Sequence, residues 1–222
     1  MSNNKLVPVT NLGYACINET LKAKGIFTGR TARKATITKS DGSIDLYKIS
    51  SLALLNCKDL VSIMKWNVEN NIKLYRISSD LIPWMTEFDI QDLPDYNEIK
   101  DALQDVGTIA DNNDIRLTTH PGPFHCLASP NREVVDNTIT SLENHGIIFD
   151  LIGLEHSPYN AINIHVGGAY NDKKATAEQF AQNFGRLSIR VSSRLTVEND
   201  DKLGLYSVKE LYELIYLGTN LN

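Results

Sequence analysis

Five times along this chain a short apolar, β-branched run breaks off into polar residues, and a stretch with helical spacing follows. Parallel strands cannot be joined by a tight turn. Each needs a crossover long enough to return the chain to the same end of the sheet, and a helix is the usual solution. The first run spans Leu6 to Cys16 and ends in Leu12-Gly13-Tyr14-Ala15-Cys16. Thr20 to Ser50 reads as polar and irregular, and a helix is expected over Leu52 to Asn70, with Leu55, Leu60, Ile63, Met64 and Val68 on one face. The second run, Ile72 to Ile77, leads through a loop with Pro83, Trp84 and Pro94 to a helix from about Asn97 to Asn113. The third, Ile115 to Thr119, precedes a helix over about Asn131 to Ile152, with Pro130 ahead of its start. The fourth is Ala161 to Val166, with a helix near Thr176 to Ser192. The fifth is Leu195 to Val197, with a helix from Ser207 to about Leu217, where Ser207 and Glu210 have the spacing of a capping box.

Five such units point to an α/β fold, either an open doubly wound sheet or a closed eight-stranded barrel. No Gly-x-Gly-x-x-Gly follows the first run, so nothing favours a dinucleotide fold. A length of 222 residues suits one domain or at most two small ones, and an apolar content of 42% is enough for a core. No run of 18 apolar residues offers a membrane span, and Met1-Ser2-Asn3-Asn4-Lys5 lacks the apolar stretch of a secretory signal. Cys16, Cys57 and Cys126 are scattered and odd in number, which argues against a disulfide scaffold and for a reducing compartment. The chain is therefore expected inside the cell, cytoplasmic or nuclear, and not secreted. Twenty-two Lys+Arg against 27 Asp+Glu give a net charge of −5, which disfavours nonspecific coating of nucleic acid but leaves room for a local basic groove.

Three consecutive strands end in a metal-capable side chain: His120 in His120-Pro121-Gly122, His165 in His165-Val166-Gly167-Gly168, and Glu198 in Glu198-Asn199-Asp200-Asp201. Neighbouring strands lie ~4.8 Å apart, so side chains at their carboxyl ends can converge on one ion. Two imidazoles and one carboxylate leave coordination positions open, as catalytic sites do. In both architectures active sites gather at this end of the sheet. For either histidine alone the competing reading is a polar strand cap bonded to loop backbone; three in register favour the ion. Among the other histidines, His125 belongs to the loop after His120, His145 to the third helix as a surface or packing residue, and His156 to a solvated connector. Glu87 is expected as an exposed loop acid. Arg30, Arg33, Lys34 and Lys39 form a basic segment that either touches phosphates or is solvated loop. Tyr14, Trp84 and Phe124 fall in strand-end loops, where base stacking and core packing both remain open.

An ordered set of motifs resembles the ultraviolet damage endonuclease family, which cuts DNA on the 5′ side of lesions. They are Leu12-Gly-Tyr14-Ala-Cys-Ile-Asn18, Arg30-Thr-Ala-Arg33, Tyr75-Arg76-Ile-Ser-Ser-Asp80-Leu-Ile-Pro83, His120-Pro-Gly122, Ser129-Pro-Asn131, His165-Val-Gly-Gly-Ala-Tyr170 and Leu195-Thr-Val-Glu198-Asn-Asp-Asp201. The likeness runs from about Leu12 to Leu214. It implies a TIM-type (β/α) barrel with a cluster of divalent metals, manganese being typical. It implies metal ligands at His120, His165 and Glu198, and places Tyr14 and Asn18 near the lesion and the scissile phosphate. The implied chemistry is metal-assisted phosphodiester hydrolysis on damaged double-stranded DNA, with no membrane and no obligate protein partner. Arg30, Arg33, Trp84 and the turn Pro123-Phe124 are the implied contacts to DNA and lesion. The family usually has Gln and an aromatic where Pro123 and Phe124 stand; Phe124 keeps a wedge-like ring, but Pro123 has no amide to hydrogen-bond.

Residues 1–222 are expected to form a single domain with about five of the eight βα units, the C-terminal strands being absent. The family's further Asp, His and Glu ligands have no counterpart here, and no histidine follows His165. That makes a truncated, inactive copy one expectation. A metal-dependent sugar isomerase-like barrel enzyme and a non-catalytic DNA-binding remnant are the alternatives.

Overall fold

A computed structural model of the chain describes residues 11–122, 124–202 and 204–216. Five strands, β1 (Gly13–Ala15), β2 (Leu74–Ile77), β3 (Arg116–Thr119), β4 (Ile162–His165) and β5 (Leu195–Glu198), form one parallel sheet in the order β1-β2-β3-β4-β5. That order decides between the two architectures. Crossovers between parallel strands are right-handed, so a strictly sequential order puts every helix on the same face and curls the sheet into the wall of a TIM-type barrel. A doubly wound sheet requires the order to reverse at a switch point, and none occurs here. Among the described residues β1 and β5 are each paired on one side.

The helices run as expected with four differences. The polar segment Thr20–Ser50 contains two single-turn helices, α1 (Glu19–Lys22) and α2 (Lys34–Ile37). It also contains the start of α3 (Leu46–Glu69), which begins six residues before the expected Leu52 because the Asp45 side chain accepts from the Lys48 backbone N–H as its N-cap. The buried stripe of α3 is Ile49, Ala53, Asn56, Cys57, Leu60, Ile63, Met64 and Asn67. Leu55 and Val68 lie off it, 49% and 38% exposed, against the expectation of a shared face. Both apolar-looking phases fit a three-to-four spacing; the two buried asparagines mark the true one. α4 (Tyr96–Asn112) and α5 (Arg132–Ile152) match their expected spans, α5 being capped by Asn131 and closed by the left-handed Gly153. The helix expected over Thr176–Ser192 is two, α6 (Lys173–Phe184) and α7 (Ile189–Ser192), because the chain leaves helical geometry after Gly185. The last helix begins with the expected capping box at Ser207, but α8 (Val208–Glu210) passes at once into a π-helical segment, Leu211–Tyr216. Leu217 and the part of the first run before Asn11 lie outside the described residues. No helix among the described residues is long and apolar enough to cross a membrane.

Side chains alternate along each strand. One set, Tyr75, Ile77, Leu117, Ile162, Ile164 and Leu195, is fully buried in the main core with residues of α3, α4 and α5. The other set, which includes Arg76, Thr118, Asn163 and Thr196, lines an open groove of about 470 Å³ on the opposite face. The core therefore sits between sheet and helices, and the second face of the sheet is polar.

Two buried polar side chains set the geometry of the β4–β5 region. Arg194 is 0% exposed, directly before β5. Its guanidinium donates to Asp150 Oδ1 at 2.7 Å, to the carbonyls of Glu155 (3.0 Å) and Arg190 (3.1 Å), and to that of Leu154. It thereby satisfies carbonyls beyond the end of α5 and in α7 that have few other donors. Replacing it with methionine leaves those carbonyls unpaired in a closed interior, so we expect Arg194→Met to cost roughly 3 kcal/mol or more. The check is a drop in urea midpoint with an unchanged m-value.

His145, in α5, is also buried. Its Nδ1 bonds the Ser141 carbonyl at 2.8 Å, its ring stands 6.5 Å from that of His125, and burial pushes its pKa down to about 4 from an ordinary 6.5. The unfolded chain therefore binds a proton through this window that the folded chain refuses, and stability rises with pH there. As pH falls from 6.5 to about 4 the wild type should lose up to roughly 3 kcal/mol on this account. Denaturant midpoints across that range should fall less steeply for His145→Gln; parallel slopes would show that His145 is not the cause.

Candidate metal centre

The parallel pairing of β4 and β5 places His165 opposite Glu198 as the last residue of each strand. β3 joins β4 through Thr119 and Ile162, and His120 follows Thr119 directly. Glu198 Oε1 lies 2.7 Å from His120 Nε2 and 3.0 Å from His165 Nε2, and the two rings are 5.3 Å apart. One nitrogen from each imidazole and one carboxylate oxygen all fall within 4.8 Å of one another, among the described residues the one group of this kind.

The donor set suits a divalent cation. His120 Nδ1 is 2.9 Å from the Pro121 carbonyl, which fixes the ring so that Nε2 faces Glu198. His165 Nδ1 faces Asp200 Oδ1 at 3.3 Å, ion-pair distance without hydrogen-bond alignment. Asp200 is mostly buried and so lies behind the imidazole, as the carboxylate does in carboxylate–histidine–metal arrangements. Partial burial raises the Glu198 pKa, but the bonds and charges of His120, Asn163 and His165 outweigh it and hold the carboxyl below its ordinary value. Glu198 is thus an anion at neutral pH, as a ligand must be.

Tyr14 lies within β1 rather than in a strand-end loop, on the helix side with its partner Tyr75, and with Asn18 it forms a second group. The Tyr14 hydroxyl donates to Asn67 Oδ1 at 2.7 Å and accepts from Asn18 Nδ2 at 2.8 Å. Asn18 Oδ1 caps α1 through the Leu21 N–H at 3.0 Å. Burial raises the Tyr14 pKa, so the phenol stays protonated. Its ring stands edge-on to Tyr75 and Trp66.

The implied DNA contacts divide into two sets. Arg30 is engaged inside the protein: it pairs with Asp59 at 2.7 Å, donates to the Gly25 carbonyl at 2.7 Å and stacks 4.0 Å over Phe27. Trp84 Nε1 donates to the Ala32 carbonyl at 2.9 Å, tying the loop after β2 to the loop after β1. Asn56 makes the same tie, bonding the Arg30 backbone on one side and the Leu81 carbonyl on the other. Arg33 and Phe124 are exposed at the surface and make no side-chain bond among the described residues, Phe124 being 89% exposed. Pro123 lies outside the described residues. His125 is in the loop, Glu87 is exposed, and His156 is paired with Asp150 at 2.9 Å rather than simply solvated.

A family model described as UV-endonuclease UvdE matches residues 10–221. The chain belongs to the UV-endonuclease UvdE family. It is 37% identical over 191 residues to the UV DNA damage endonuclease of Clostridium perfringens, covering 86% of this chain and 43% of that protein. It is 35% identical over 207 residues to the UV-damage endonuclease of Schizosaccharomyces pombe, covering 91% and 33%. A putative UV-damage endonuclease of Acanthamoeba polyphaga mimivirus is 34% identical over 191 residues, covering 86% and 57%. The chain thus spans between a third and just over half the length of these relatives. The crystal structure of SacUVDE superposes with a TM-score of 0.76 at 29% identity, over 96% of this chain and 71% of that one. The UvdE fold confirms the barrel reading of the strand order.

Sequence reasoning missed three polar residues around the His120–His165–Glu198 group: Asp200 behind His165, and Asn163 and Thr196 beside Glu198. The signal was present in the period of two. Asn163 shares a face with His165, and Thr196 with Glu198, in strands otherwise made of Leu, Ile and Val. Removing an outer group of this kind costs metal affinity ~10–100-fold, and removing a ligand itself costs more. In calorimetric titrations with manganese we expect His120→Ala or His165→Ala to lose more than ~100-fold in affinity, and Asp200→Asn about tenfold. Equal affinities across the three variants and the wild type would exclude the cluster as the binding site.

Proposed function

We propose that this chain is a lesion-directed DNA endonuclease that hydrolyses the phosphodiester 5′ to ultraviolet damage, with residues 1–222 acting as one domain. The observation that carries the reading is the convergence of His120 Nε2, His165 Nε2 and Glu198 Oε1 at the carboxyl ends of three consecutive parallel strands. A divalent ion held by these three residues, manganese being our expectation, would supply Lewis-acid and charge-neutralising chemistry at the phosphate.

This chain's own residues do the rest. Glu198 enters as an anion and offsets the ion's charge. Nδ1 of His120, bonded to the Pro121 carbonyl, keeps its Nε2 on the open side of the strands, and His165 presents its Nε2 beside it with Asp200 behind the ring. Tyr14 and Asn18 are our candidates for the residues nearest the lesion and the scissile phosphate, the neutral Tyr14 hydroxyl being held by Asn67 and Asn18. Phe124, exposed on the turn after His120, has the shape of a wedge between bases. Arg33 is free to meet a phosphate of damaged double-stranded DNA, while Arg30 and Trp84 brace the loops that face the DNA.

The experiment is nicking of supercoiled plasmid with manganese present. We expect nicked circles to accumulate faster on irradiated than on intact plasmid, and EDTA or His165→Ala to abolish the difference. One ligand cluster occurs among the described residues, so turnover should be slower than that of the Clostridium perfringens relative assayed alongside. Nicking indifferent to irradiation or to EDTA would overturn the reading. Salt-sensitive binding of irradiated duplex with no nicking at all would replace it with a DNA-binding role.

A further inference from the structure

Glu198 uses its two oxygens differently. Oε1 faces the two histidines, at 2.7 and 3.0 Å. Oε2 accepts from Asn163 Nδ2 at 2.5 Å. The Asn163 amide is itself oriented, because Thr196 Oγ1 donates to Asn163 Oδ1 at 2.8 Å. The three side chains form a chain of donors running one way, Thr196 to Asn163 to Glu198. Sheet geometry puts them there. β4 and β5 pair in register as Asn163↔Thr196 and His165↔Glu198, and the alternation of a strand sends all four side chains to the same face.

An asparagine amide can sit either way round, and only its hydrogen-bond partners decide which end is NH₂. If the amide were reversed, its oxygen would meet the Glu198 carboxylate, acceptor against acceptor. A carboxylate accepts only, so Glu198 demands the NH₂; the Thr196 hydroxyl, which can donate or accept, then donates to the Oδ1 left facing it. Glu198 thus sets the orientation of the amide, Thr196 anchors its far end, and Asn163 occupies Oε2. Neither residue is among the three that offer a ligand atom.

We infer that Thr196 and Asn163 are positioning residues that hold Glu198 as a ligand through one oxygen, Oε1, and keep Oε2 from swinging in to chelate. This rests on the metal reading of the site. A glutamate bound through both oxygens fills two coordination positions; held through one, it leaves the second for water or for a phosphate oxygen, which a hydrolytic site needs open.

The role of Thr196 is exerted wholly through Asn163, and that makes it separable from ordinary packing. The test takes the full chain as wild type, Thr196→Val, Thr196→Ser, Asn163→Ala and the Thr196→Val/Asn163→Ala double variant. Manganese affinity is read by calorimetry and melting is read in EDTA. We expect Thr196→Val and Asn163→Ala each to weaken manganese about tenfold or more with little change in metal-free melting. Thr196→Ser keeps the donor and should restore binding. The double variant should bind no more weakly than Asn163→Ala, because a residue acting only through its neighbour adds nothing once the neighbour is gone. Wild-type affinity in Thr196→Val, or additive losses in the double variant, would overturn the inference.

A second readout needs no metal. The Asn163 side-chain NH₂ protons, seen in nitrogen-15 spectra of the metal-free protein, should exchange slowly in the wild type and in Thr196→Ser, and rapidly in Thr196→Val. Rapid exchange in the wild type overturns the donor chain whatever the calorimetry gives. Slow exchange lost in Thr196→Val, with no manganese bound by any variant, supports the donor chain and overturns the metal reading instead.

Discussion

The register of β4 against β5 is the constraint on which the rest depends. Four residue pairs set it, and it puts His165 opposite Glu198 and Asn163 opposite Thr196. A slip of one residue would send Glu198 to the helix side and a valine to the open side, because side chains alternate with a period of two. The register is protected from behind. Ile162 N–H donates to the Arg194 carbonyl at 2.9 Å, and the Arg194 side chain is bound to the end of α5, to the connector after it and to α7. The residue that ends the turn before β5 is thus pinned by both its backbone and its guanidinium, and Glu198 lies only four residues further on.

The same strands serve two purposes on two faces. Tyr75, Leu117, Ile162, Ile164 and Leu195 face the helices and supply the burial that holds the sheet together. Arg76, Thr118, Asn163, His165, Thr196 and Glu198 face the other way, where little apolar area is available to be buried. Stability and chemistry are separated by the pleat of the backbone. A polar substitution on the open face can alter binding without threatening the core, whereas one on the helix face cannot. The loops after β1 and β2 follow a similar division: Asn56, buried in α3, satisfies loop carbonyls from inside, while Arg33 is left outside.

Much of this was legible in the sequence. The five strand-helix units, the capping box at Ser207 and the meeting of His120, His165 and Glu198 follow from local pattern plus one topological rule. Less legible were features whose cause lies elsewhere in the chain. Leu55 and Val68 read as core because spacing alone does not say which of two helical phases will be covered; the buried phase is the one that carries Asn56 and Asn67, whose partners are distant loops. The break at Gly185 interrupts a stretch with no proline to announce it. Arg194 looks like an exposed loop arginine until α5 and α7 are brought around it. Asn163, Thr196 and Asp200 acquire meaning only once Glu198 and His165 are placed beside them. The grouping of Tyr14 with Asn18 came from family resemblance, and their hydrogen bond gives it a physical basis.

The loops that follow His120 and His165 are not independent. Gly167 adopts φ +98°, and a Cβ added there would stand 2.3 Å from Cys126 Sγ, which in turn lies 3.3 Å from the Val166 carbonyl. Two positions 41 residues apart in sequence thus share a single volume large enough for one sulfur and no carbon more. Any lineage that enlarges one of them has to shrink or displace the other, so selection acts on the pair rather than on either residue. A thiol in that setting is kept for its size. A residue of similar bulk that met the same glycine could take the position.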